Sequence, residues 1–192
     1  MARPQKYNQT KVMNTISNLF QTQGYRGTSI DQLLEATELS RSSLYNGFGN
    51  KESIYLMVLD DIAVKSAVLY KDSALSNNPE EFIRIFFMSY QPDKSHYLAG
   101  SGCLLVNTVV ELADSEPDLV NRAQTYLQQA QDSMASYFKL SQQNGLLAKH
   151  HNPMALAKFF MNVKKGLMVS VRHGTDIKDL DDVIDISLLI IK

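Results

Sequence analysis

Residues 40–54, SRSSLYNGFGNKESI, set small hydroxyl side chains, an aromatic ring and two glycines into one short helix and a turn. The clear apolar members are Leu44, Phe48 and Ile54. Leu44 and Phe48 stand four apart and share one helical face, and Ser40 ahead of them is a favoured N-cap. A helix that buries so little displays its remaining side chains, here Arg41, Ser42, Ser43, Tyr45 and Asn46.

The flanking segments give this helix its setting. Val12, Ile16, Leu19 and Phe20 recur at helical spacing and predict an amphipathic helix over about 6–23, stopped by Gly24. Thr28-Ser29-Ile30-Asp31 reads as a capping box with Asp in its fourth place, opening a second helix that buries Ile30, Leu33 and Leu34. Asn50 caps a fourth helix with Ile54, Met57, Val58, Ile62 and Val68 or Leu69 inward. Two short helices joined by a tight turn form a helix-turn-helix, whose second member enters the DNA major groove. That groove admits a bare helix with short polar and a few long cationic side chains. Arg41, Ser42, Ser43 and Asn46 fit it, and Tyr45 offers its hydroxyl to a phosphate. Gly47 permits close backbone approach, while Thr28 and Lys51 stand at helix starts, where amides and dipole favour phosphate. The competing reading of these residues is a solvated helix face with its cap. Arg3 and Lys6 are either further DNA contacts or a frayed terminus.

Charge agrees with this placement. The 192-residue chain has a net charge of −1, yet residues 1–51 hold six basic and three acidic residues against 13 and 17 in the remainder. A basic end on an acidic body orients the molecule towards a polyanion. One cysteine, Cys103, excludes an internal disulfide and a Cys-rich zinc site. The opening MARPQKYNQTK lacks a secretion-signal core, and the uncharged stretches are too short and polar to span a bilayer, so the expectation is a cytoplasmic protein with no membrane partner.

The remaining chain also reads as helix. Asn78-Pro79-Glu80-Glu81 is a start signal ahead of Phe82, Ile85 and Phe86. A glycine-containing loop near 91–102 leads into CLLVNTVVELA, apolar on most sides and so expected to be central. Ser115-Glu116-Pro117-Asp118 opens a long helix closed by Asn144-Gly145. Asn152-Pro153 opens another closed by His173-Gly174, and Ile177, Leu180, Ile184, Leu188 and Ile191 mark a last one. No period-2 strand or repeat occurs, so the fold class is all-α.

The pattern resembles the TetR-like (TetR/AcrR) transcriptional regulators. The likeness covers residues 8–56 and rests on GYRGTSIDQLLEATELSRSSLYNGFGNKESIY, with Phe20, Gly24, Thr28, Tyr45, Phe48 and Lys51 in the expected places. Glu38 stands where the family usually has a turn glycine, and Gly47 where a larger residue is common. The resemblance implies an amino-terminal helix-turn-helix head at 1–50 and a larger helical-bundle body for effector binding and dimerisation at 51–192. It implies a homodimer through residues 153–192 on a palindromic double-stranded operator, a small-molecule effector, and no enzymatic role. Leu156, Phe160, Val163 and Leu167 give one apolar stripe there, widened by Phe159, Met161, Met168 and Val171; a helix simply central in its own subunit is the other account. The alternative function is an all-α ligand-binding or enzymatic domain whose basic head contacts a protein.

Candidate effector residues are Phe86, Tyr90, Cys103, Asn107, Glu111, Tyr126, Tyr137 and Phe159. Asn107 and Glu111 share a face that is turned either to a pocket or to solvent. Gly100-Ser101-Gly102-Cys103-Leu104 resembles a G-C-L segment of a TetR-like subgroup in which some cysteines sense oxidants or electrophiles, whereas a free cysteine is usually a small buried hydrophobe. His150 and His151 are adjacent and expected to diverge, making a poor metal pair; no catalytic, cofactor or metal motif is present.

Overall fold

Asn8 starts the first helix by accepting the Lys11 amide at 3.0 Å, and Gly24, at φ 76°, ends it by donating to the Phe20 carbonyl. This computed structural model describes residues 7–74, 77–88 and 102–192. Within them the helices are α1 (Gln9–Gln23), α2 (Ile30–Thr37), α3 (Arg41–Phe48), α4 (Lys51–Ser73), α5 (Pro79–Met88), α6 (Leu104–Leu112), α7 (Pro117–Gln143), α8 (Pro153–His173) and α9 (Ile177–Leu188). A short 3-10 turn, Leu189–Ile191, follows, and no strand occurs among the described residues.

Local chemistry explains most boundaries. Ser40, Asn50, Asn78 and Asn152 each accept an amide of the following first turn. The capping box of α2 is shifted by one from the expected register. Ser29, not Thr28, is the cap: its hydroxyl accepts the Gln32 amide at 3.2 Å, and Gln32 Oε1 accepts the Ser29 amide at 2.7 Å.

Two apolar clusters organise the molecule. One joins α1–α3 to the first three turns of α4, to α6 and to the start of α7, around Ile16, Phe20, Leu33, Leu44, Phe48 and Tyr55. The other joins α5, later α7, α8 and α9 around Ile83, Phe87, Phe138, Phe160 and Ile184. Position 50/51 falls at the start of α4, whose Ile54, Tyr55, Val58, Leu59 and Ile62 pack into the head cluster. Head and body therefore share a core. Truncating a fully buried ring such as Phe20 to alanine costs about 3–5 kcal/mol.

Some inward stripes differ from the periodicity reading. In α4, Met57 and Val68 face outward, because the stripe runs through pairs at 54/55 and 58/59. Ile85 is exposed while Ile83 and Phe87 are buried. The α6 helix is not enclosed all round: Val110 is 78% exposed.

Candidate nucleic-acid interface and body cavity

The polar face of α3 is displayed outward, as its composition requires. Leu44 and Phe48 are buried against the head, leaving Arg41, Ser42, Tyr45 and Asn46 exposed and Ser43 half-buried. Within the isolated chain these groups find local partners. The Arg41 guanidinium pairs with Asp31 of α2, both side chains being largely exposed. Such an exposed pair exchanges cheaply for a phosphate. The Ser42 and Ser43 hydroxyls turn back on Ser40 Oγ, at 3.1 and 2.8 Å.

Two expected contact residues are placed otherwise. Thr28 is fully buried, and its hydroxyl donates to the Gly24 carbonyl at 2.8 Å, so its side chain closes the α1–α2 turn rather than facing outward. The space over Gly47 is occupied by the Tyr7 hydroxyl, whose ring also packs on Phe48 at 5.9 Å. Gly47 thus admits a tyrosine of its own chain. Lys51, half-buried at the start of α4, lays its ammonium over the Tyr25 ring at 4.3 Å. Burial lowers its pKa, opposed by the Glu111 and Glu116 carboxylates.

Behind the head, α6 is fastened at two points. The Glu111 carboxylate accepts the Tyr25 amide at 3.1 Å and the Arg26 amide at 2.7 Å. Approach is so close that a Cβ on Gly24 would lie 2.6 Å from Glu111 Oε2, which explains glycine there beyond its positive φ. The Tyr55 hydroxyl of α4 lies 2.8 Å from Thr108 Oγ1 of α6. Thr108 already donates to the Leu104 carbonyl, so Tyr55 is the donor. Burial raises the Tyr55 pKa above the ordinary tyrosine range and keeps that proton in place.

The other end of α6 opens on a cavity of about 330 Å³ between α4, α5, α7 and α8. Of the expected effector residues, Phe86, Cys103, Tyr126 and Tyr137 line it. Asn107, Glu111 and Phe159 do not: Glu111 is turned to the head, and Phe159 is at the α8 surface. Tyr90 lies outside the described residues. Tyr126 donates to Asp60 Oδ1 at 2.6 Å, tying α7 to α4 beside the cavity mouth. Burial pushes the Cys103 thiol up, against the Leu105 and Val106 amides and the Lys164 ammonium that pull it down. The thiol form therefore predominates, which favours the small-hydrophobe reading over an activated thiolate.

Periodicity of apolar residues missed Lys164. It is 5% exposed, donates to the Phe86 carbonyl at 2.8 Å, and stands 3.9 Å over the Phe86 ring. Its position four beyond Phe160 and four before Met168 was the available signal, since that spacing returns to the inward face. Met161 and Met168 also turn into the cavity rather than widening an outer stripe. The His150 and His151 rings do not diverge but lie 4.0 Å apart. Among the described residues no group of three His, Cys, Asp or Glu could hold a metal ion, and no helix is long and apolar enough to cross a membrane.

Comparison with known proteins agrees with this geometry. Residues 12–58 match the family of bacterial regulatory proteins named tetR, and residues 83–186, more than half the chain, match the tetracyclin repressor-like C-terminal domain. The HTH-type transcriptional repressor ComR of Escherichia coli K12 is 23% identical, over 93% of this chain and 86% of its own. The uncharacterized HTH-type transcriptional regulator YezE of Bacillus subtilis 168 is 24% identical over the whole of both chains. The fold is shared with a cysteine-substituted TetR family regulator CifR complexed with 26-base-pair double-strand operator DNA, at 19% identity, full coverage of both chains and a TM-score of 0.89. It is shared also with the reduced form of NemR from E. coli, at 17% identity, 95% and 97% coverage and a TM-score of 0.81. Both halves are matched in order along one all-helical chain that displays a polar α3, and the protein belongs to the tetR family of DNA-binding transcriptional regulators.

Proposed function

We propose that the chain works in the bacterial cytoplasm as a homodimeric repressor, released from a palindromic operator by a small-molecule effector held in the body cavity. One observation carries the reading: α6 touches the cavity at Cys103–Val106 and the head at Glu111. Its nine residues span about 13 Å and move as a rigid unit. An effector that shifts its amino end therefore strains the Glu111 bonds to the Tyr25 and Arg26 amides. The Tyr25 ring beneath Lys51 carries that displacement to a residue at the α3–α4 junction.

Release then follows as a population shift. The effector favours a conformation whose two α3 helices are wrongly spaced for major grooves about 34 Å apart. A coupling of ~1–3 kcal/mol changes operator affinity roughly 5- to 150-fold. The two-fold partner fits the carboxy-terminal face, where Val183, Ile186, Leu189 and Ile190 are exposed, Ile186 by 69%. The operator complex of CifR and the repressor role of ComR, both proteins of like fold or sequence, support DNA as the partner.

Selecting bound fragments from genomic DNA tests this reading. The expected result is a palindromic site bound as a dimer, with affinity falling steeply as salt rises. Recovery of no enriched sequence, or binding indifferent to salt, overturns it.

A further inference from the structure

Among the described residues, the charge lining the cavity is one-sided. Its described wall contains Lys71, Lys164 and Lys165 and no aspartate or glutamate. Lys71 is exposed at the rim and Lys165 half-buried, whereas Lys164 is on the inward face of α8 with its ammonium held by the Phe86 carbonyl and ring. Burying an ammonium in apolar surroundings is costly, and its pKa is pushed down to about 7 by that desolvation. An anion entering the cavity offsets this cost; a second cation increases it, and a neutral apolar guest leaves it in place.

A second feature points the same way. The first turn of α6 forms part of the wall through Cys103, Leu104, Leu105 and Val106. Cys103 is its N-cap residue and makes no side-chain capping bond, unlike Asn8, Ser29, Ser40 and Asn152. The Leu105 and Val106 amides point towards the Cys103 sulfur, a weak acceptor. A carboxylate oxygen is a far better partner for such amides, and the helix dipole adds to the attraction. The rest of the wall is greasy, with Phe82, Met134, Met161 and Met168 prominent.

Resting on the effector reading above, we propose that the cavity takes an organic anion with an apolar body, its carboxylate set between Lys164 Nζ and the first turn of α6. The apolar portion lies among the phenylalanines and methionines, and a volume of about 330 Å³ suits a small amphiphile. The anion thereby grips the end of the helix whose other end holds the head.

Calorimetry of the purified full chain with octanoate, octan-1-ol and octylamine at pH 7 tests the assignment. Octanoate is expected to bind at least tenfold more tightly than octan-1-ol, and octylamine more weakly than either. Lys164→Met should reduce octanoate to the octan-1-ol level while leaving the alcohol within about threefold; Lys164→Gln serves if the methionine variant misfolds. Octan-1-ol binding as tightly as octanoate in the wild-type chain overturns the proposal without any variant, and so does the absence of binding by all three. The same ligands added to the chain on its selected operator separate the two readings. Operator release by octan-1-ol and octanoate alike upholds an effector role and sinks the anion site. A Lys164-dependent preference for octanoate that leaves DNA affinity unchanged upholds the anion site and sinks the effector role.

Discussion

The Glu111 carboxylate accepts the main-chain N–H of Arg26 at 2.7 Å, joining residues 85 positions apart across the boundary between body and head. With the Tyr25 amide taken by its other oxygen, one side chain satisfies two main-chain donors of the turn that follows α1. Glu111→Ala removes both acceptors and should destabilise the chain by about 1–3 kcal/mol. It should also reduce effector-driven release of DNA more than DNA affinity itself. Denaturant titration and fluorescence anisotropy with and without ligand measure the two effects; unchanged coupling in the variant would remove α6 as the link.

On DNA, Lys51→Ala and Tyr45→Ala should weaken binding to all sequences together, with the Lys51 variant lowering the salt slope by about 1. Changes at Ser43 or Arg41 should instead alter sequence preference. Asp31→Ala frees Arg41 from its exposed partner and removes a negative charge from the head, so a roughly two- to tenfold gain in affinity is expected. Gel shifts at several salt concentrations check all five variants.

Glu38 sits at φ 57°, the one non-glycine in the left-handed region among the described residues. Side chains there cost about 1–2 kcal/mol relative to glycine's free access, partly offset by glycine's larger unfolded entropy. Glu38→Gly should therefore raise the melting temperature by about 2–4 °C. A lower melting temperature would show that Glu38 makes a compensating contact.

Lys164 binds a proton less readily folded, at about 7, than at its ordinary 10.5. Between those values the unfolded chain holds more protons, so this group's contribution to stability rises with pH from 7 upward and is least below 7. Cys103 and the buried tyrosines, all raised, act in the opposite direction at higher pH. The difference between wild type and Lys164→Met isolates the lysine: the wild type should gain on the variant as pH goes from 7 to 8.5. Urea midpoints at each pH read it out, and parallel curves would mean that Lys164 is not desolvated.

Ile186 and Leu189 are 69% and 61% exposed on the last helix and its 3-10 extension. Ile186→Glu with Leu189→Glu should leave the subunit folded but monomeric by light scattering, with operator affinity lost because two half-sites are no longer linked. A dimer that survives both charges would place the interface elsewhere.

Much of the fold was legible in the chain because its signals are local. Proline and asparagine at helix starts, glycine at helix ends and apolar spacing near 3.6 each act within a few residues, and they located the starts of the nine described helices within about three positions. The polar face of α3 was legible for the same reason, since Leu44 and Phe48 alone decide which way it turns. Thr28 was misplaced because capping is ambiguous between adjacent hydroxyl residues until the backbone chooses one.

By itself, then, the sequence determined an all-α fold with a short helix that displays a polar face, because hydrogen bonding and burial along one helix depend on neighbours a turn away. Tertiary structure alone decided where Glu111 and Lys164 point. A carboxylate on a mixed helix and a lysine on an apolar stripe each have several possible surroundings. Which one they meet depends on how α6 and α8 pack against segments some 80 residues distant.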